Sequence, residues 1–263
     1  MILCFDIGNS QTSVALFGED KNPIKTWFFA TKKDSKSADY LSDFEFFNKH
    51  SNFEKLDSVV VGSVVPNLAN DIKEKVKLLS ENFEHPLRIK ECNAQTVCDI
   101  DSKYYDCKYP IKEEVGSDII ASILAARYYY GGPCAIADLG TATNINVIDK
   151  EGGFLGAVIC SGLKTSLRAL IGDASALEDT QIQTPSSILG NNTMELIQSG
   201  VVFGEAAKVE GIVNRIEEYL GYKVNVITTG GWSNLVSPHL NIINECVPEL
   251  VLQGLKVFDL LTP

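Results

Sequence analysis

CFDIGNSQTSVALF, residues 4–17, places one carboxylate, Asp6, at the end of an apolar run. Gly8 follows two residues later, then the hydroxyls of Ser10, Thr12 and Ser13, and then a second apolar run. Two β-rich runs joined tightly through a glycine predict a hairpin. The pattern recurs: AIADLGTATNINVID, residues 135–149, again reads apolar run, Asp, x, Gly, small polar residues, apolar run. Asp6 and Asp138 are 138 − 6 = 132 residues apart, about half of the 263-residue chain. Repetition at that period predicts two lobes of similar topology. One Asp-x-Gly turn is commonplace in loops; the paired copies point to a site.

The rest of the chain alternates strand and helix patterns. LDSVVVGSVVPNL, residues 56–68, carries a continuous Val run, as expected of a strand covered on both faces. Residues 82–110 read as strand and loop, and a helix is predicted to start at Ser117 or Asp118 and run through IIASILAARYY. Residues 205–221 predict an amphipathic helix with Val209, Ile212, Val213, Ile216 and Leu220 on one face and Gly221 as its stop. Residues 223–232 read as a strand that ends in Gly230-Gly231. The class is therefore α/β, with an N-terminal lobe over 1–115 and a C-terminal lobe over 116–263.

Composition narrows the function. Hydrophobic content of 45% and a mean hydropathy of +0.04 suit a soluble chain with a real core. No run of about 18 apolar residues predicts a membrane span, and the start MILCFDIGNS lacks the basic region of a signal peptide. Seven cysteines, with no Cys-x-x-Cys pair and only three histidines, predict a reduced cytoplasmic chain without structural metal. A net charge of −11 argues against a nucleic-acid partner, because duplex binding neutralises phosphates with Lys and Arg. A nucleotide substrate brings its own cations.

Phosphoryl transfer needs amides and hydroxyls around phosphate oxygens, carboxylates for a cation and a base near the acceptor. Gly8 and Gly140 let the main chain approach a phosphate. Ser10, Thr12, Thr141 and Thr143 offer hydroxyls, and Asp6 and Asp138 offer oxygen ligands for cations. Hairpins from two lobes facing one another would form the halves of a phosphate clamp.

Paired hairpins of this kind, followed by a late strand and Gly-Gly, resemble the superfamily of actin, hexokinase-type sugar kinases and the heat-shock ATPases. Within it the chain resembles a type III pantothenate kinase from end to end. The matching stretches are DIGNSQTS (6–13), SVVP (63–66), EVGSD (114–118), DLGTAT (138–143), GAVICSG (156–162), LGNNTMELIQSGVVFG (189–204) and ITTGG (227–231). The resemblance implies two ribonuclease-H-like lobes of duplicated topology, the actin-like ATPase fold, with an inter-lobe nucleotide cleft. It implies phosphorylation of the terminal hydroxyl of pantothenate by ATP, toward coenzyme A, in a cytoplasmic homodimer that needs Mg²⁺ and K⁺ or NH₄⁺.

Residue by residue, the resemblance implies a first phosphate loop from Asp6 through Gly8, Asn9, Ser10 and Thr12, with Asp6 reaching Mg²⁺ directly or through water. Asp118 would be the base, Asp138 would hold the monovalent cation, Thr141 would contact ATP, and Gly230 and Gly231 would flank the adenosine. Tyr109, Gly116, Ser117 and Asp118 would line the acceptor, with Thr193 reaching it across the dimer interface. Each has a plain structural alternative. Asp118 could cap its helix, Tyr109 could be a half-buried aromatic, Thr193 could be an N-cap, and the Gly pair could be only a turn.

Two departures fall on the acceptor side. The family's Gly-x-Asp-Arg is Gly116-Ser117-Asp118-Ile119, without the arginine, and its Gly-Gly-x-Ile-x-Pro-Gly is GAVICSG. Isoleucine cannot replace a guanidinium that anchors a polar or anionic substrate. Beside the pantothenate kinase stand two alternatives: a kinase of another small hydroxyl compound, and a catalytically impaired regulatory relative.

Overall fold

The computed structural model describes residues 1–31, 55–81, 83, 85–172 and 181–262. Two compact units emerge. The first comprises Met1–Tyr105, Pro110–Tyr130 and Leu250–Pro263; the second comprises Asp106–Tyr109 and Gly131–Glu249.

In the first unit, strands β1 (Ile2–Ile7), β2 (Gln11–Phe17), β3 (Lys25–Ala30), β4 (Ser58–Ser63) and β5 (Arg88–Cys92) form a sheet in the order β3-β2-β1-β4-β5. The β1–β2 and β2–β3 pairs are antiparallel, and β4 and β5 run parallel to β1. The Val run of 56–68 is thus a central strand, as its apolar continuity predicts. Leu3, Phe5 and Ile7 point to one face, where they pack with Leu68, Ile72 and Val76 of helix α1 (Pro66–Ser80). Cys4 and Asp6 alternate onto the other face, which helices α2 (Ser117–Tyr129) and α6 (Leu250–Leu261) cover. Residues 82 and 84 of the 82–110 stretch lie outside the described residues.

In the second unit, β7 (Cys134–Leu139), β8 (Ala142–Ile148), β9 (Gly153–Ser161), β10 (Asn225–Thr229) and β11 (Glu245–Cys246) repeat the plan, with β6 (Asp106–Cys107) added beyond β9. Read from β9 to β11, the order is the same as that from β3 to β5, with the same parallel and antiparallel pairs. The duplicated topology predicted from the two Asp-x-Gly stretches is present. Helices α3 (Leu163–Ile171) and α4 (Thr193–Leu220) pack on the face presented by Ala135, Ala137, Leu139 and Ile145. A four-residue turn of helix, α5 (Ser233–Val236), follows β10.

Three features differ from expectation. The lobe division at 115 does not hold, because α2 and α6 close the first unit together. A Cβ on Gly254 would lie 1.8 Å from the Ala121 carbonyl oxygen, so these helices cross backbone to backbone. Residues 106–109 join the second unit because β6 pairs with β9. The helix expected at 205 starts at Thr193 and runs 28 residues; it ends where predicted, with Gly221 at φ 75°.

Candidate phosphoryl-transfer site

The two hairpins have the same burial sequence. In β1 and in β7 five residues are buried, and the aspartate at the fifth position alone is half-exposed. Each strand is covered on both faces until its end, where the carboxylate emerges. Register places Asp6 opposite Ser13 and Asp138 opposite Asn144. The Gly8 amide donates to the Gln11 carbonyl at 3.0 Å, and the Gly140 amide donates to the Ala142 carbonyl at 3.1 Å. Asn9 and Ser10 are exposed at the first tip, as is Thr141 at the second.

Thr12 is not presented at the surface. It is 4% exposed, and its hydroxyl bonds that of Thr31 at 3.0 Å. Thr31, which sequence reasoning missed, also donates to the Gly8 carbonyl at 2.8 Å, and its amide donates to the Ser10 carbonyl at 3.0 Å. It buttresses the whole first turn. Thr143 likewise points inward, donating to Glu205 at 2.6 Å. It pairs with Leu139 of the core face, so it cannot also serve the tip.

Asp118 sits in the first turn of α2, whose N-cap is Gly116. Its Oδ1 accepts from the Ile119 amide at 2.9 Å, so it does not act as the cap residue. A Cβ on Gly116 would lie 2.4 Å from that Oδ1, so only glycine leaves room for the carboxylate to fold back. Burial pushes the Asp118 carboxyl above the ordinary 3.8, and the amide bonds only partly offset this. Ser117 is buried and lies against Gly62, whose missing Cβ would be 3.6 Å from that of Ser117. Gly62 is the parallel-strand register partner of Asp6. The helix start that carries Asp118 is therefore set on the strand beside Asp6, about 4.8 Å away in the pairing direction.

On the second unit, Gly230 has φ 88°, and a Cβ there would lie 2.3 Å from Asp138 Oδ1. The Trp232 amide donates to the Leu139 carbonyl at 3.0 Å. Gly230 is thus required by its positive φ and by the Leu139 backbone, 2.9 Å from where its Cβ would be, and it leaves room for the Asp138 carboxylate; the Cβ direction of Gly231 is open. Gly162, the N-cap of α3, would collide with the carbonyl oxygens of Gly140 and Thr141 at 2.5 and 2.7 Å if it had a side chain. The Thr165 hydroxyl donates to the Thr141 carbonyl at 2.8 Å. A helix start, with its unpaired amides, abuts the second tip and suits an anion.

Tyr109 is half-buried, its ring 6.1 Å from that of Phe154 and 3.7 Å from where a Gly156 Cβ would be. The segment that carries it, just after β6, is held by Lys108, whose ammonium meets Asp149 at 2.6 Å. Burial raises the Asp149 carboxyl, but Lys108 and the Gly153 and Gly152 amides outweigh it and hold the group below its ordinary value. Thr193 is exposed as the first residue of α4; the cap is Asn192, whose Oδ1 accepts from the Glu195 amide at 3.0 Å.

Two sheets of one order, each with an acid-glycine hairpin at its centre, define an actin-like ATPase fold. Solved structures agree. The chain superposes on Acidaminococcus fermentans (R)-2-hydroxyglutaryl-CoA dehydratase component A with a TM-score of 0.56 at 12% identity, covering 98% of this chain and 96% of that one. It superposes on a ROK family glucokinase from Streptomyces griseus, in complex with glucose and AMPPNP, with a TM-score of 0.51 at 13% identity over 99% and 98%. Within that fold, the chain belongs to the type III pantothenate kinase family, whose model matches residues 2–215. A relative named type III pantothenate kinase, from Dictyoglomus turgidum, is 36% identical over 260 residues, 97% of each chain.

Proposed function

We propose that this chain transfers the γ-phosphoryl group of ATP to the terminal hydroxyl of pantothenate, the first step toward coenzyme A. The observation that carries this reading is Asp118: a half-buried carboxylate with a raised pKa, on a helix start set beside the register partner of Asp6. In the reaction the acceptor hydroxyl loses its proton to Asp118 as its oxygen bonds to the γ-phosphorus. The bond from that phosphorus to the bridging oxygen breaks, and ADP leaves.

Asn9, Ser10 and the Gly8 backbone hold phosphate oxygens at the first tip, with Thr12 fixing the turn from beneath. Thr141 and the start of α3 hold them at the second, and Gly230 and Gly231 border the adenosine. Asp6 and Asp138 are half-exposed oxygen donors at strand ends, which fits hard cations. Mg²⁺, when bound with ATP, neutralises phosphate charge; Asp6 would hold it directly or through water, and Asp138 would hold K⁺ or NH₄⁺. Gly116, Ser117 and Tyr109 border the acceptor. Thr193 reaches the acceptor of a second copy in a homodimer, a role supported by the exposed Ile188, Leu189, Met194 and Leu196 around the start of α4. Seven free thiols, with Cys4 and Cys92 fully buried, support a reducing, cytoplasmic setting. Among the described residues no helix is long and apolar enough to cross a membrane.

One observation favours a second reading, a different small hydroxyl acceptor: Ile119 stands where the family has arginine. An assay of ADP formation with pantothenate and a panel of small hydroxyl compounds, with and without K⁺, decides. Pantothenate-dependent turnover that is lost in Asp118→Asn supports the first reading. Turnover only with another acceptor selects the second, and nucleotide binding without turnover on any compound sinks both.

A further inference from the structure

The proposed roles leave unused an ion pair beneath the second hairpin, its carboxylate buried and its ammonium partly exposed. Glu205 on α4 is 4% exposed, and its two carboxylate oxygens are divided between two elements. Oε1 accepts the Thr143 hydroxyl at 2.6 Å, and Oε2 takes the Lys208 ammonium at 2.7 Å. Lys208 reaches on to the Ser161 carbonyl at 2.7 Å. Thr143 lies on β8, two residues past Thr141. Ser161 ends β9 and immediately precedes Gly162, which touches the carbonyls of Gly140 and Thr141. The Ser161 hydroxyl also bonds that of Ser166 in α3, at 2.9 Å. One arm of the pair therefore holds the strand leaving the turn, and the other holds the helix start that abuts it.

We propose that Glu205 and Lys208 are positioning residues for ATP, fixing the spacing between the tip at Gly140-Thr141 and the start of α3 without touching the nucleotide. This deepens the proposed function and rests on the second hairpin holding ATP phosphates. Stability alone is a poor reason for the pair. Glu205 lies among the buried residues of α4, whose Val201 and Val209 join the apolar core, and there an apolar residue of similar volume stabilises as well as a charge or better. An apolar pair cannot accept the proton of Thr143 or bond the Ser161 carbonyl. Directional, charge-assisted bonds set distances that packing leaves loose.

The test uses the full chain with Glu205→Met, Lys208→Met and the double variant, and it reads thermal midpoint, KM for ATP, KM for the acceptor and kcat. Lys208→Met strands the buried Glu205 carboxylate and lowers the midpoint, whereas Glu205→Met lowers it less because the Lys208 ammonium reaches solvent. The double variant regains it while its KM for ATP stays raised about tenfold, a fraction of the roughly hundredfold cost of a 1 Å misplacement, and its acceptor KM is unchanged. A KM for ATP that recovers together with the midpoint makes the pair merely structural and overturns the proposal. Glu205→Gln serves if the double variant does not fold: it keeps an acceptor for Thr143, so it raises the KM for ATP less than Lys208→Met does, and the reverse order overturns the proposal. Thr141→Val separates the two levels. If it leaves the KM for ATP unchanged, the hairpin reading falls and this proposal with it. If it raises that KM while the double variant does not, only the positioning role fails.

Discussion

The first hairpin turns through three residues, Gly8, Asn9 and Ser10, whereas the second turns through two, Gly140 and Thr141. Beneath the first lies a neutral buttress, Thr31, bonded to Thr12 and Gly8. Beneath the second lies an ion pair and a glycine contact that lock strand to helix. Each has a helix start in its own unit, but only that of α2 carries a carboxylate; α3 begins Gly-Leu-Lys-Thr. A duplicated scaffold has thus been given unequal chemistry. The proposed function assigns proton transfer to the first copy and rigid anion holding to the second.

The strongest way to break that division is Asp118→Asn. Turnover should fall by roughly 10²–10⁴-fold, the usual contribution of a general base, measured as ADP formation at saturating substrates. The folded pKa of Asp118 lies above the ordinary 3.8, so the folded state binds the extra proton in the window just above that value. Stability from this group is therefore present at low pH and lost as pH rises through the folded pKa. Asn removes that penalty, so the thermal midpoint at neutral pH should hold or rise; a clear drop would make Asp118 a structural residue. In the wild type, the acidic limb of kcat/KM should lie above the ordinary aspartate range.

Next in size is Ile119→Arg on the same helix. Restoring a charge-assisted contact of roughly 1.5–3 kcal/mol should tighten pantothenate by about one to two orders of magnitude, read by titration calorimetry. An unchanged affinity would mean that the acceptor is anchored elsewhere.

The turns themselves can be compared by paired glycine variants. A Cβ on Gly8 would meet the Gln11 carbonyl oxygen at 2.9 Å, whereas one on Gly140 finds ordinary contacts at 3.5 Å. Gly8→Ala should cost about 1–3 kcal/mol of stability, as overpacking does, and Gly140→Ala should stay within about 0.5 kcal/mol in denaturant titrations. Equal losses would erase the difference between the copies. The smallest expected effect is Thr31→Val, about 1 kcal/mol for the hydroxyl bonds of the buttress, read in the same titration and accompanied by weaker ATP binding.

Local pattern made the hairpins, the strand at 58–63, the start of α2 and the Gly221 stop legible in sequence. Each is written in consecutive residues: an acid before a glycine, a Val run, a glycine after an amphipathic period. The early start of α4 was hidden because Gly200 and Gly204 interrupt its period, and packing rather than propensity holds that segment. Thr143 was read as a ligand to phosphate, although its pairing with Leu139 assigns it to the core face. Thr31 and the Glu205–Lys208 pair act on turns 19 or more residues away in sequence, and no window reading joins them. The unit boundary failed for the same reason, since Gly254 meets Ala121 across 254 − 121 = 133 residues.

That helix crossing also dictates an order of events during synthesis. Residues 131–249 can assemble most of their sheet as soon as they leave the ribosome, with residues 106–109 already waiting. The earlier-made sheet carries α2 on the face bearing Cys4 and Gly62, but that face stays partly uncovered until residues 250–261 emerge, with Lys256 to clasp the Glu19 and Asp20 carbonyls and Asp259 to meet Lys90. The half translated first is the half completed last.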